Sequence, residues 1–219
     1  MHVSVNAAMS ADGKLSSWRR EQIKISGDGD FARVDRLRAE ADAIVVGVGT
    51  VLADDPSLVR YDESHRKATR GPNVDPPARI VVDSKCRTPT ESAILAGEPR
   101  TYVLTSEAAP EERRSELRDR GAELVTAGAT RVDLTDAFAA LEARGIDRAM
   151  VEGGGELIFS LFEAGLVDEL TVYVGNTIIG GRDAPTLADG EGFDSSFPEL
   201  ELDSVEKTDS GVVLAWNIL

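Results

Sequence analysis

The sequence predicts an α/β fold: one mixed, mostly parallel sheet flanked by helices on both faces, with a C-terminal antiparallel strand pair. Three observations carry this. Through the middle of the chain, short apolar runs alternate with helix-spaced stripes, the pattern of parallel strands joined by crossover helices. Near the end the pattern becomes strand after strand, Leu200–Val205 and then Val212–Ile218. Two apolar runs end in glycines, Gly47-Val48-Gly49 and Gly153-Gly154-Gly155, at the kind of position where open α/β sheets bind ligands.

The elements follow in order. Val3, Val5 and Ala7 alternate with Ser4 and Asn6, a strand over residues 3–8. Ser10-Ala11-Asp12-Gly13 is a turn, and residues 16–25 form a polar loop. Phe31, Val34, Leu37 and Ala41 fall at helical spacing and predict a helix with that stripe inward. Ala43 to Val46 is a buried strand, whereas residues 65–77, with three prolines, a glycine and several charges, read as a loop. Strands are predicted at 79–83 and 101–105, then a charged helix from Pro110 to Arg120 and a short strand at 123–125. Leu134, Ala137, Phe138 and Leu141 mark an amphipathic helix with Asp133 or Thr135 near its cap. Arg148 to Val151 is a strand; Leu157, Ile158, Leu161 and Phe162 face one side of the helix that follows. Leu170 to Val174 is a strand, and a glycine-rich loop runs from Gly180 to Gly192.

At 219 residues the chain buries one sizeable core, so a single domain over 1–219 is expected. An apolar share of 42% and a charged share of 29% describe a globular protein, and no apolar run is long enough to span a bilayer. No basic segment or cleavage site follows Met1, which makes the cytoplasm the expected location. The net charge of −15 argues against nucleic-acid binding, which relies on basic surface. Only five of the 24 basic residues are lysines. Such a surface is expected of a protein from a salt-saturated cytoplasm, where self-repulsion is screened; an ordinary acidic cytosolic protein is the alternative. One cysteine, Cys86, and two histidines, His2 and His65, exclude an internal disulfide and a Cys/His zinc cluster. No ligand spacing supports a carboxylate metal site. Neither histidine has a nucleophile elbow to accompany it, which removes Ser-His-Asp hydrolysis.

The stretch Gly47 to Pro56 looks superficially like a dinucleotide fingerprint, but Leu52 takes the place of the third glycine, so a Rossmann reading fails. What survives is a strand running into a helix start, whose N–H groups favour phosphate. Val151 to Leu157 repeats the arrangement. On neighbouring parallel strands the two loops would take an extended, multiply phosphorylated ligand, and a nucleotide cofactor is the economical choice. Lys14, Asp54 and Glu152 stand around these loops. Each has two readings: solvated loop lysine, carboxylate on backbone N–H groups and helix-start acid on one side, chemistry on the other. Lys14 and Glu152 converging at strand ends would make a proton-handling pair. Arg38, beside Leu37 on the apolar stripe, either pairs with an acid or reaches a phosphate. Cys86 has nothing nearby that marks it as reactive.

Taken together, Met9-Ser10-Ala11-Asp12-Gly13-Lys14, Arg38-Ala39, Gly47 through Leu58, Arg79-Ile80-Val81-Val82-Asp83-Ser84, Val151 through Gly155 and Gly165 through Leu170 resemble the riboflavin-biosynthesis pyrimidine reductases of the RibD C-terminal type. The stand-alone archaeal members look most similar, and the match runs in order from about residue 3 to residue 218.

The resemblance implies a dihydrofolate-reductase-like fold, usually a homodimer. It implies NADPH-dependent reduction of the ribosyl side chain of 2,5-diamino-6-ribosylaminopyrimidinone 5′-phosphate to ribityl. Position by position, it implies cofactor contacts at Thr50, Asp54, Val82, Ser84, Gly153, Gly154, Gly155 and Glu156. Substrate-side positions are Arg38, Leu58, Arg60 and Glu152, and Lys14 matches a lysine at the reacting centre. Bacterial relatives carry a tryptophan near the cofactor where Ile23 stands here. They often also carry a zinc deaminase, whose H-x-E…P-C-x-x-C site a single cysteine excludes, so deamination is expected of another protein. Lys85 and Arg87 either meet a 2′-phosphate, favouring NADPH over NADH, or are surface charges. Two alternatives stay open: a pterin or folate reductase on the same fold, and a non-catalytic NADP-binding sensor.

Overall fold

The computed structural model describes residues 1–219. Nine strands form one sheet in the order β5-β4-β3-β2-β6-β1-β7-β9-β8. They are β1 (His2–Met9), β2 (Ala43–Gly47), β3 (Ala78–Val82), β4 (Thr101–Thr105), β5 (Glu123–Thr126), β6 (Arg148–Gly153), β7 (Glu169–Val174), β8 (Leu200–Thr208) and β9 (Gly211–Ile218). The first seven pair in parallel, and β9 joins antiparallel between β7 and β8. The helices are α1 (Asp28–Glu40), α2 (Val48–Asp54), α3 (Glu63–Arg70), α4 (Glu111–Asp119), α5 (Leu134–Glu142) and α6 (Gly155–Glu163). None is long and apolar enough to cross a membrane.

Alternation along the strands divides the core between the two faces of the sheet. On one face Val3, Val5, Val45, Ile80, Leu104 and Val151 pack beneath Phe138 and Leu141 of α5 and Ile158 and Leu161 of α6. On the other, Ile44, Val46, Val81 and Val103 meet Val48 and Val51 of α2 and Leu117 of α4. The strands β2, β3 and β4 are largely buried on both sides; β2 reads as an unbroken apolar run, while β3 and β4 also bury Arg79, Thr101 and Thr105.

Two expectations are corrected. Residues 65–77 are not all loop, because Glu63–Arg70 forms α3. The prolines and the glycine all lie at or beyond Gly71, so nothing breaks the preceding turn pair. Asp62 caps the helix by accepting the His65 N–H at 2.9 Å, and buried Arg66 anchors it through the Ala39, Ala41 and Asp75 carbonyls. Replacing Asp62 by Ala is expected to cost about 1 kcal/mol, the usual value of an N-cap, read as a lower urea midpoint at unchanged slope.

The second correction concerns α1. Phe31 is 40% exposed, while Asp30 and Ala39 are buried. The helix lies over a polar part of the sheet, where Arg33 reaches Asn6 of β1 at 2.8 Å and Arg38 reaches Glu152 of β6. Its inward face is therefore charged, and apolar periodicity alone rotates it wrongly.

The glycine-rich segment after β7 is tied back over the end of β1. Asp12 accepts the Ser10 hydroxyl at 2.6 Å and the N–H groups of Ile179 and Gly180 at 3.0 and 2.7 Å. The Ser10 hydroxyl first, and then the backbone donors, hold the Asp12 carboxyl at about 2 against an ordinary 3.8. A depressed acid contributes stability that is complete above its unfolded value and is lost as pH falls through the folded one. Asp12→Asn should therefore melt below the wild type at pH 6, with the gap closing between about pH 4 and pH 2. A gap that stays constant over that window contradicts the tether.

Candidate active site

A cleft of about 790 Å³ runs across the carboxyl ends of β1, β2, β3 and β6. This is within the range of about 300–1,000 Å³ that small-ligand sites occupy, at the position where α/β sheets bind them. One wall is the turn from β2 into α2, with Gly47, Gly49, Thr50 and Asp54; the other is Glu152 through Leu157 at the start of α6. The expected adjacency of these loops holds, because β2 and β6 are neighbours.

Backbone conformation favours glycine in the α6 turn. Gly154 has φ +94°, in the region that side chains disfavour, and a Cβ on Gly154 would lie 3.6 Å from the Gly47 Cα. A Cβ on Gly153 would make an ordinary contact with Thr50 Oγ1 at 3.5 Å, and one on Gly49 meets nothing within 4 Å. The first N–H groups of α6 have no partner inside the helix, so this wall offers donors and a positive dipole end to an anion. Asp54 lines the opposite wall, and partial burial pushes its carboxyl up.

Glu152 owes its position to a break in the ladder. Val45 pairs with Val151 and Val46 with Gly153, so Glu152 is the extra residue of a β-bulge. Such bulges re-aim a side chain. Here both carboxylate oxygens reach Arg38 of α1, Oε1 to Nε and Oε2 to Nη2, each at 2.6 Å. The third guanidinium nitrogen donates to the Arg60 carbonyl at 3.0 Å. Burial alone would lower the Arg38 pKa, but the Glu152 carboxylate, with Asp35 assisting, raises it overall. Of the two readings of Arg38, pairing with an acid is the one found.

The other expected residues take distinct places. Val82 and Ser84 line the cleft, and the Ser84 hydroxyl accepts the Val132 N–H at 3.0 Å. Gly155 and Glu156 line it at the α6 start. Lys14 stands beside it: Leu15 and Ser16 form the wall, while the Lys14 ammonium donates to the Ala184 carbonyl at 3.2 Å. Leu58 is buried in the core beneath α2 with φ +50°, so any ligand contact falls to its backbone. Arg60 is 70% exposed and bound through Nε to Asp35 at 2.7 Å. Ile23 is half-buried. Burial pushes the Cys86 thiol up, as befits an inert cysteine.

Sequence reasoning missed Arg131, which lines the cleft with Lys85 and Arg87. None of the three has a hydrogen-bonded carboxylate; Arg87 comes within 3.9 Å of Asp83. The available signal was a base just after a strand in an acidic chain. The strand order that brings the turn after β5 to this cleft is not written in local sequence.

This sheet, with a cleft walled by two glycine turns and lined by Lys85, Arg87 and Arg131, defines an α/β protein whose ligand site lies at the carboxyl ends of its parallel strands. The chain belongs to the RibD C-terminal domain family, whose model matches residues 1–214. It is 46% identical, over 96% of its length and 94% of the relative's, to the 2,5-diamino-6-ribosylamino-4(3H)-pyrimidinone 5′-phosphate reductase of Archaeoglobus fulgidus. The reductase of the same name from Methanothermobacter thermautotrophicus is 47% identical over 92% of this chain and 90% of that one. The fold matches a crystal structure of a pyrimidine reductase-like protein from Corynebacterium diphtheriae, with a TM-score of 0.80 at 21% identity over all of this chain and 92% of that one. The protein is an oxidoreductase of this family.

Proposed function

We propose that the protein uses NADPH to reduce the ribosyl side chain of 2,5-diamino-6-ribosylamino-4(3H)-pyrimidinone 5′-phosphate to its ribityl form, as a cytoplasmic homodimer in riboflavin biosynthesis. The observation that carries this is the bulge-borne Glu152, clamped by Arg38 beside a cleft that fits a dinucleotide. The two archaeal relatives named for this reaction support the choice of substrate.

The residues present fit a nicotinamide cofactor. Open space at Gly49, the donors of the α6 start and the cations Lys85, Arg87 and Arg131 suit a phosphorylated dinucleotide. When bound, the cofactor supplies the hydride. The protein supplies alignment and electrostatics. In the sugar, the bond from the anomeric carbon to the ring oxygen breaks as the amino nitrogen forms a double bond to that carbon. Lys14, whose ammonium rests on the Ala184 carbonyl beside the cleft, would turn from that carbonyl to deliver a proton to the ring oxygen. Glu152, with both oxygens on a guanidinium, works as a fixed anion and stabilises the positive charge at the carbon–nitrogen double bond. Hydride from a bound cofactor would add to that carbon, and the electron pair of the carbon–nitrogen double bond would return to the nitrogen.

NADPH oxidation with the diamino pyrimidine phosphate, its deaminated counterpart and dihydrofolate, across a potassium chloride series, tests this reading. Turnover of the diamino compound, rising with salt, is expected. Strong turnover of dihydrofolate instead would indicate a pterin-type reductase, and cofactor binding without turnover would indicate a sensor.

A further inference from the structure

The basic side chains that line the cleft are Arg20, Lys85, Arg87 and Arg131, and they divide by origin. Lys85 and Arg87 follow β3 and Arg131 follows β5, whereas Arg20 stands in the loop after β1. In the sheet, β6 with its Glu152 lies between these two groups. Arg20 therefore reaches the cleft from the other side of Glu152, beside Ala8, Ser16 and Gln22. No carboxylate or carbonyl of the chain holds its guanidinium. Its backbone is unusual, with φ +62°, a region that residues with a side chain enter rarely. The turn is built to keep it there. The Arg20 N–H donates to the Ser17 carbonyl at 2.8 Å, and the Ser17 N–H donates to the Glu21 carbonyl at 3.2 Å. The Ser17 hydroxyl accepts the N–H groups of Arg19 and Glu21, each at 3.2 Å.

We propose that Arg20 is a substrate-binding residue for the phosphomonoester of the pyrimidine nucleotide, and that the Ser17 turn positions it. The α6 start and the cations after β3 and β5 serve the phosphates of the cofactor. The substrate brings one phosphate more, and on the β1 side of Glu152 the basic side chain that faces the cleft is Arg20. Arg38 is spent, with Nε and Nη2 on Glu152 and Nη1 on the Arg60 carbonyl. The Lys14 ammonium sits on the Ala184 carbonyl. A guanidinium with no partner in the chain grips a phosphomonoester through paired donors. Turn chemistry alone would be served better by glycine at this φ, so a strained arginine held at the cleft wall marks a site with a ligand to meet. This inference rests on the substrate reading above.

The test is Arg20→Gly, which removes the guanidinium and suits the positive φ, so Tm should not fall. With the pyrimidine 5′-phosphate, KM should rise at least about tenfold, the scale of one charge-assisted hydrogen bond, with kcat within about twofold. For the dephosphorylated riboside KM should not change, and calorimetry should give wild-type NADPH affinity. Arg20→Lys should keep part of the affinity, as a charge without the planar fork. Ser17→Ala should raise KM for the phosphate by a smaller factor, and should add nothing in the Arg20→Gly background. An unchanged KM for the phosphate, an equal rise for the riboside, or a loss of NADPH affinity of the same size overturns the assignment of Arg20. Additive losses in the double variant overturn the role of Ser17. Wild-type protein that binds NADPH but leaves the pyrimidine phosphate unreduced overturns the substrate reading itself, and with it this inference.

Discussion

Glu152→Gln should lower turnover of the pyrimidine phosphate by at least about 100-fold while leaving NADPH affinity within about twofold. The substitution keeps the size and the bulge of the residue but removes the charge. Arg38 would then lose a bidentate ionic partner, and the reacting centre would lose the fixed anion that offsets the developing positive charge. Cofactor affinity should hold, because the glycine turns and the cations around the cleft are untouched. Arg38→Lys should show a smaller loss in the same direction, since a lysine cannot meet both carboxylate oxygens in one plane. Stopped-flow oxidation of NADPH with a parallel calorimetric titration separates the two quantities. Near-normal turnover in Glu152→Gln would remove the electrostatic role.

The second large effect is at Gly155. A Cβ there would lie 2.6 Å from the Thr186 carbonyl oxygen and 2.9 Å from Asp189 Oδ2. The 186–189 segment is in turn held on α6 by the Asp189 N–H donating to the Gly155 carbonyl at 3.0 Å. Because the nearest atom is backbone, the segment must move rather than a flexible side chain. Gly155→Val should cost about 1–3 kcal/mol, as overpacking usually does, or roughly 2–12 °C in Tm for a domain of this size. It should also weaken NADPH binding at least about tenfold, since the α6 start and the 185–189 strap both line the cleft. Gly49→Ala is the matched control for stability: its Cβ meets nothing, so Tm should stay put. Unchanged NADPH affinity in Gly155→Val would contradict the placement of the cofactor at this wall.

Much of this arrangement was legible in the sequence. The apolar run at β2 announced a buried strand, β3 and β4 were legible as strands, and the antiparallel close at β8 and β9 followed from the lack of a helix between them. The two glycine turns were correctly placed on neighbouring strands. What escaped local reading depended on partners distant in the chain. The inward face of α1 carries Asp30, Arg33 and Arg38 because Asn6 and Glu152 wait beneath it, and apolar spacing sees none of that. The bulge at Glu152 is a property of the β2–β6 register, not of either strand alone. α3 hid behind the prolines that follow it, although Asp62 was a visible cap.

Where the hydride lands tests the central claim most directly. With NADPH carrying deuterium on the transferred position of the nicotinamide and the diamino pyrimidine phosphate as substrate, mass and NMR spectra of the product should show one deuterium, bonded to C1′ of the ribityl chain. Deuterium on the pyrimidine ring, or a reduced product that draws its C1′ hydrogen from solvent, would contradict a site in which Glu152 and Lys14 prepare that carbon for direct hydride transfer.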